Sequence, residues 1–329
     1  MIHVTARSRA SAVSARIAVA PALALSFVLS ACGGSGGLSS TPTPAPAPVP
    51  TPTPTPTNTS LPATLSETFT AASAKTIATI GNATGAASDV SPSRSSYGTL
   101  SVAYDAAANS YTIADEAASR TFTSADTRTS DGAFEYYTQV EGTTTNELKL
   151  FRSGASNQTL ALTYVSYANW SNEIRGTQTT RQLARYAVFG VPTTTATMPR
   201  TGTATYAGVA DGTAIVGGQA YSLLGSTGTV SADFATGVVR TTLALSGSDP
   251  VSNSAGSTAL GTLTGVGAVS TGTSRYTGTI SGLGSNVSGS FGGGFFGPGA
   301  AETGLSFSAL GDPSQGNNDS AVGVFVGKR

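Results

Sequence analysis

The 329-residue sequence is poor in the side chains that carry most enzyme chemistry. It has one histidine, His3, and one cysteine, Cys32, and both lie near its start. Beyond residue 32, Ser–His and Cys–His nucleophilic pairs are therefore excluded, as are most zinc sites. A lone cysteine forms no internal disulfide. Among protein ligands for haem iron, only tyrosines and Met198 remain. Met198 precedes Pro199, and its expected role is packing. Charged residues make up only 10% of the chain, and no basic stripe suggests contact with nucleic acid. After Ile17–Leu29 no apolar run is long enough for a transmembrane helix. Neither a cofactor nor a metal is expected.

What is present begins with an address. Arg7, Arg9 and Arg16 precede the apolar run Ile17–Leu29, and Leu29-Ser30-Ala31-Cys32 closes it. About a dozen apolar residues suit a signal peptide and are too few to span a bilayer. The order resembles the lipobox of bacterial lipoproteins. That resemblance implies cleavage after Ala31, acylation of the new amino terminus, and a diacylglycerol (palmitate-type) anchor on the Cys32 thiol. The alternative is an ordinary secretory signal with a chance cysteine. Gly33 stands where many inner-membrane lipoproteins carry Asp, which favours the outer membrane. Removing residues 1–31 leaves 14 basic against 17 acidic residues.

Residues 32–60 read as a linker, first Gly/Ser-rich and then alternating proline with Thr, Ala or Val over Thr41–Thr57. Proline fixes φ and lacks an N–H, so this stretch is expected to be an extended spacer. At ~3.1 Å per residue it reaches roughly 50 Å.

The expected fold class is mainly all-β. Residues 61–189 read as a β-rich domain. Period-two alternation marks half-buried strands at Tyr97–Tyr104, Ser110–Ala114, Phe134–Val140, Glu147–Arg152 and Leu160–Trp170. Leu65–Ile80 is expected to be a short helix. Residues 190–329 hold 29 of the 40 glycines. Here short strands are expected at Thr201–Ala207, Ala220–Leu224, Val238–Leu245, Ser274–Ile280, Val287–Phe291, Gly304–Leu310 and Val322–Val326. Their spacing suggests a small antiparallel barrel or sandwich. Glycines at alternate positions, such as Gly278 between Tyr276 and Ile280, favour closure into a barrel.

Several residues invite a functional reading beside a plain one. Asp115-Glu116 is a carboxylate pair, but neighbours on a strand point apart, so a solvated turn is expected. Two carboxylates far apart in sequence would suit a glycosidase, and no spacing here points to one. Gly261-Thr262-Leu263-Thr264-Gly265-Val266-Gly267 lacks the strand-to-helix context of a nucleotide loop and reads as turn glycine. Tyr164, Tyr167 and Trp170 are the binding candidates, with Tyr136 and Tyr137 similar, because Tyr and Trp dominate interface hot spots. The alternative for all of them is packing.

Gly294-Phe295-Phe296-Gly297-Pro298-Gly299-Ala300-Ala301-Glu302-Thr303-Gly304 has a physical reading of its own. Phe295 and Phe296 must face opposite sides of a strand. Gly297-Pro298 makes a tight turn. Glu302 is expected to accept backbone N–H bonds, with a ligand role as the alternative. The segment also resembles a motif of the transferrin-binding protein B superfamily, with Leu305 replacing a second glycine. Ala232–Gly237, Ser281-Gly282-Leu283 and Ser288–Phe291 resemble further segments of that family. The resemblance covers residues 190–329, and residues 61–189 are only loosely similar to the "handle" that precedes such barrels.

This resemblance implies one handle and one eight-stranded barrel on an outer-membrane, surface-facing lipoprotein. The implied function is non-catalytic capture of an iron- or haem-carrying protein or another solute. Implied partners are the membrane through its lipid anchor, a TonB-dependent receptor and a surface-lipoprotein translocator. The alternative is a structural or protective surface lipoprotein without a nutrient ligand. No segment matches a transferrin-contacting one residue by residue.

Overall fold

A computed structural model describes residues 57–249, 251 and 256–329. The expected signal peptide, Cys32 and the expected linker up to residue 56 lie outside the described residues. Pro54–Arg329 forms one compact unit, built from two antiparallel sheets. Among the described residues the only helices are two 3-10 turns, Pro298–Ala300 and Pro313–Gln315.

The first sheet takes β1 (Glu67–Gly81), β2 (Ala87–Pro92), β3 (Ser96–Asp105), β4 (Ser110–Asp115), β5 (Ser119–Phe122), β6 (Thr127–Ser130), β7 (Phe134–Glu141), β8 (Thr144–Phe151), β9 (Val165–Arg175) and β10 (Thr179–Gly190). Its order is β5-β4-β3-β1-β10-β9-β8-β7-β6, with β2 also on β1. It curls into a half-barrel. The inner face carries Phe69, Val102, Ile113, Phe122, Leu148 and Trp170. The outer face carries Ala74, Phe151, Val165, Tyr167, Tyr186 and Val188, packed with Phe296, Val322, Val324 and Val326 of the second sheet.

The second sheet takes β11 (Thr203–Val216), β12 (Gln219–Ser222), β13 (Ser226–Asp233), β14 (Val238–Gly247), β15 (Thr258–Val269), β16 (Arg275–Gly282), β17 (Val287–Phe296), β18 (Glu302–Gly311) and β19 (Ser320–Lys328). β11 pairs with β13 at one edge and with β19 at the other, which closes eight strands into a barrel. β12 is a short hairpin partner of β11 outside the ring. Closure leaves the ring without an exposed edge. The interior is filled by Tyr206, Leu243, Tyr276, Phe291, Phe295, Phe307 and Phe325, all fully buried.

Two expectations are corrected here. Leu65–Ile80 is not a helix: β1 is a 15-residue strand. The spacing of Leu65, Phe69 and Ile80 suggests a helix, but β1 is a central strand covered on both faces. Such strands lose the alternation that would identify them. Small side chains at Ala71, Ala72 and Ala74 allow close packing on both sides. Likewise Gly261–Gly267 is no turn but lies inside β15. A Cβ on Gly265 would stand 2.8 Å from the Phe291 ring, and one on Gly278 would stand 2.5 Å from it. These glycines are the space into which Phe291 packs.

Two further details depart from the expected strands. β9 begins at Val165, not Leu160. The backbone N–H groups of Thr163, Tyr164 and Val165 are taken by the Glu302 carboxylate, so the chain joins the sheet only after that point. Strands β2, β5, β6, β10, β13 and β15 depart from the expected set: Thr, Ser and Gly hide the alternation in β13 and β15, and β10 is buried on both faces over Ala184–Gly190.

Candidate binding cleft

The curl of the first sheet leaves a cleft of about 430 Å³ on its inner face. The wall is aromatic: Phe69, Tyr104, Tyr111, Tyr137 and Phe189, with Leu61 and Leu150. Asn109, Glu135 and Arg152 stand among the lining residues as polar groups. A concave, mostly apolar surface with a few placed polar groups is what ligand sites generally look like.

Local sequence explains the placement. Asp105 accepts the backbone N–H groups of Ala107 and Ala108 at 2.9 and 3.2 Å, which tightens the β3–β4 turn. Asn109 ends that turn at φ 46°, a conformation its short polar side chain tolerates. The hairpin register then sets Tyr104 directly opposite Tyr111. Their rings lie 5.1 Å apart, and Tyr111 meets Tyr137 edge-on at 6.2 Å. The Tyr104 hydroxyl donates to Asn109 Oδ1 at 3.3 Å and the Tyr137 hydroxyl to Glu135 Oε2 at 3.2 Å. Arg152 donates to the Asp131 carbonyl at 3.1 Å. Burial raises the Asp131 carboxyl, but the N–H groups of Ala133 and Phe134 outweigh it, so it sits below the ordinary aspartate value.

The three aromatic binding candidates lie elsewhere. Tyr167 is 1% exposed and Trp170 3% exposed, so neither offers a surface to a partner. Tyr167 stacks on Phe151 at 5.0 Å between the sheets, and its hydroxyl donates to Asp211 at 3.1 Å. Burial, then the Asp211 charge, holds that phenol well above its ordinary value. Trp170 lies on the inner face under the Arg185 guanidinium, 3.9 Å from its ring centre. Tyr164 is half-buried and covers Gly297, where any Cβ would collide with its ring. Tyr137 lines the cleft, while Tyr136 is half-buried on the other face. Both sides of β9 are covered, so Tyr167 and Trp170, on opposite faces, pack instead of presenting a contact surface.

The aromatic pair that does line the cleft, Tyr104 and Tyr111, was legible only as strand residues. The usable signal was their spacing: two tyrosines flanking a tight Asp105–Asn109 turn must face each other across a hairpin.

Asp115 is corrected as well. It is no solvated turn residue: its side chain is 3% exposed and accepts Arg185 Nε at 2.7 Å. Burial raises its pKa, and Arg185 with the N–H groups of Ala117 and Ala118 lowers it further than that. Glu116 is exposed and meets Lys75 at 2.9 Å. Met198 packs against the barrel core.

Glu302 joins the sheets. Only 5% exposed, it accepts N–H bonds from Thr163 and Tyr164 at 2.7 Å and from Val165 at 3.0 Å. Beside it, Phe295 points into the barrel and Phe296 out of it toward the first sheet. Leu305, where the motif has its second glycine, fills the barrel interior. A second tie crosses the joint at Lys149 and Asp211, 2.6 Å apart.

Residues 198–329 match the family model described as the C-lobe and N-lobe beta barrels of Tf-binding protein B. No curated protein matches the sequence. Among solved structures, the chain is similar to a double mutant of transferrin-binding protein B from Haemophilus parasuis Hp5, with 16% identity and a TM-score of 0.44. That match covers 77% of this chain and 44% of the other. Isotype 1 transferrin-binding protein B from serogroup B Neisseria meningitidis gives 16% identity and 0.42, covering 78% and 43%. The N-lobe of lactoferrin-binding protein B from Moraxella bovis gives 13% and 0.34, covering 78% and 98%. The chain thus spans less than half the length of the first two. Residues 198–329, the closed barrel, are thus similar to the barrels of transferrin-binding protein B.

Proposed function

We propose that the protein is an outer-membrane, surface-facing lipoprotein that captures an iron- or haem-carrying protein by binding alone, without catalysis. The observation that carries this reading is the match of residues 198–329 to barrels of transferrin-binding protein B. The names of two similar solved proteins state that they bind transferrin and lactoferrin. In this reading residues 61–189 act as the handle and residues 190–329 as the barrel. Cys32 carries the lipid, and residues 32–60 hold the folded part away from the membrane. The aromatic cleft supports the same reading, since tyrosines present large apolar area with a polar tip at little entropic cost. A TonB-dependent receptor would take the cargo onward.

The test is capture by the purified chain carrying Cys32→Ser, immobilised and offered transferrin, lactoferrin and haemoglobin with and without iron or haem. Retention of at least one, saturable and competed by free carrier, is the expected result. Retention of none overturns the capture reading and favours a surface lipoprotein without a nutrient ligand. Protease treatment of intact cells tests the orientation: a domain cut only after outer-membrane permeabilisation faces inward.

A further inference from the structure

The half-barrel holds a second, smaller pocket, of about 200 Å³, that the aromatic cleft does not share. Its centre is Arg185 on β10. The register places Arg185 beside Lys75 of β1 and Trp170 of β9. The Arg185 side chain is 4% exposed. Its Nε is bound by Asp115, but its Nη1 is buried with no partner. Trp170 Nε1, on the ring beneath the guanidinium, is likewise buried with no partner. Buried donors are nearly always satisfied, and each exception needs an explanation. Here two such donors belong to one stacked pair.

The surroundings say what could satisfy the Arg185 donor, which lines the pocket as Trp170 does not. Lys75 and Arg94 join Arg185 in the wall, with the hydroxyl-bearing Ser73, Ser96 and Thr99. Two carboxylates also line the pocket, but Asp115 is fully engaged. Its Oδ1 accepts from Ala117 and Ala118, and its Oδ2 from Arg185, with Lys75 at 3.7 Å. Glu116 is engaged by Lys75. Three cations against two occupied carboxylates leave an excess of donors and positive charge. Charge-assisted bonds from arginine are strongest to planar or tetrahedral oxyanions.

We propose that this pocket binds a small oxyanion, a carboxylate or phosphate group, with Arg185 as the buried anchor and Arg94 at the exposed rim. The volume suits a free ion or one acidic group of a larger ligand. The inference is independent of the carrier-protein reading.

Trp170 is the chain's single tryptophan, and its fluorescence reports on the pocket through the Arg185 guanidinium stacked on its ring. The purified Cys32→Ser chain would be titrated with inorganic phosphate and, separately, citrate, against sodium chloride at matched ionic strength. A saturable change with phosphate, citrate or both, absent with chloride, is expected. Citrate alone assigns a carboxylate and phosphate alone a phosphate. Arg94→Gln, at an exposed site, should weaken binding about tenfold or more, the scale of one charge-assisted hydrogen bond, with an unchanged melting temperature. Arg185→Lys should abolish saturation, with circular dichroism confirming that the variant folds. A response no different from chloride shows that water alone fills the pocket and overturns the proposal. Equal affinity in Arg94→Gln and Arg185→Lys overturns the assigned residues.

Discussion

The two sheets solve the burial problem in opposite ways. The barrel closes on itself and fills its interior with aromatic and aliphatic side chains matched to glycines on facing strands. Its buried charges, Asp211 and Glu302, both bond outward to the first sheet. The half-barrel stays open, buries Arg185 and Asp115 on its inner face, and keeps pockets there. A closed, filled barrel has little left to offer a ligand, whereas an open sheet with polar groups on its concave face has. The contrast casts the barrel as support and the half-barrel as the working surface.

The largest effect should come from cutting the tie between them. Glu302→Ala would leave three backbone N–H groups of residues 163–165 without their acceptor, that of Val165 buried and the other two partly buried. A buried unpaired N–H costs about 1–3 kcal/mol and a partly buried one less, so a total loss of about 3–6 kcal/mol is expected. The melting temperature should fall by roughly 10 °C. If the comparison is right, calorimetry will show the half-barrel melting first and the barrel later. A single transition at the wild-type temperature would mean the joint contributes little.

The barrel was the more legible half. Its tight turns and the alternation in Val322–Val326 are local properties, and Phe295 with Phe296 announces a two-sided strand. Even Glu302 as a backbone acceptor could be anticipated, though not that its N–H partners lie some 139 residues away. The half-barrel was harder because its central strands are covered on both faces. Period-two alternation vanishes in β1, and in β9 the residue types of Tyr167 and Trp170 suggest contact where the structure buries both. Asp115 was misjudged for a related reason. Its partner Arg185 is 70 residues distant and meets it only once the sheet has curled.

The same contrast predicts a difference in acid. Asp115 titrates below its ordinary value of 3.8 in the folded protein because Arg185 and two N–H groups outweigh its burial. A group with a depressed folded pKa stabilises above the unfolded value, and that stability is lost as pH falls through the folded one. The half-barrel should therefore weaken below about pH 4, whereas the barrel interior holds no charge to protonate. In Asp115→Asn this added acid sensitivity should disappear, at the cost of lower stability near neutrality. Thermal melts from pH 7 to 2 would check this. Identical slopes in the two proteins would remove Asp115 from the account.

The smallest effect on stability should accompany a large one on binding. Tyr104 and Tyr111 are half-buried at the cleft, so the double variant Tyr104→Ala, Tyr111→Ala should cost about 1–2 kcal/mol, as partly exposed side chains lose little transfer energy. Phe291→Ala, inside the barrel, should cost about 3–5 kcal/mol. If the half-barrel is the working surface, the order reverses for capture. The tyrosine double variant should lose at least tenfold in affinity for whichever carrier the protein retains, since hot-spot aromatics each contribute about 2 kcal/mol or more. Phe291→Ala should bind normally at temperatures where it stays folded. Surface plasmon resonance on both variants, with circular dichroism to establish folding, separates the cases. Unchanged capture by the tyrosine variant would move the contact surface off the cleft, and loss in Phe291→Ala while folded would make the barrel more than a support.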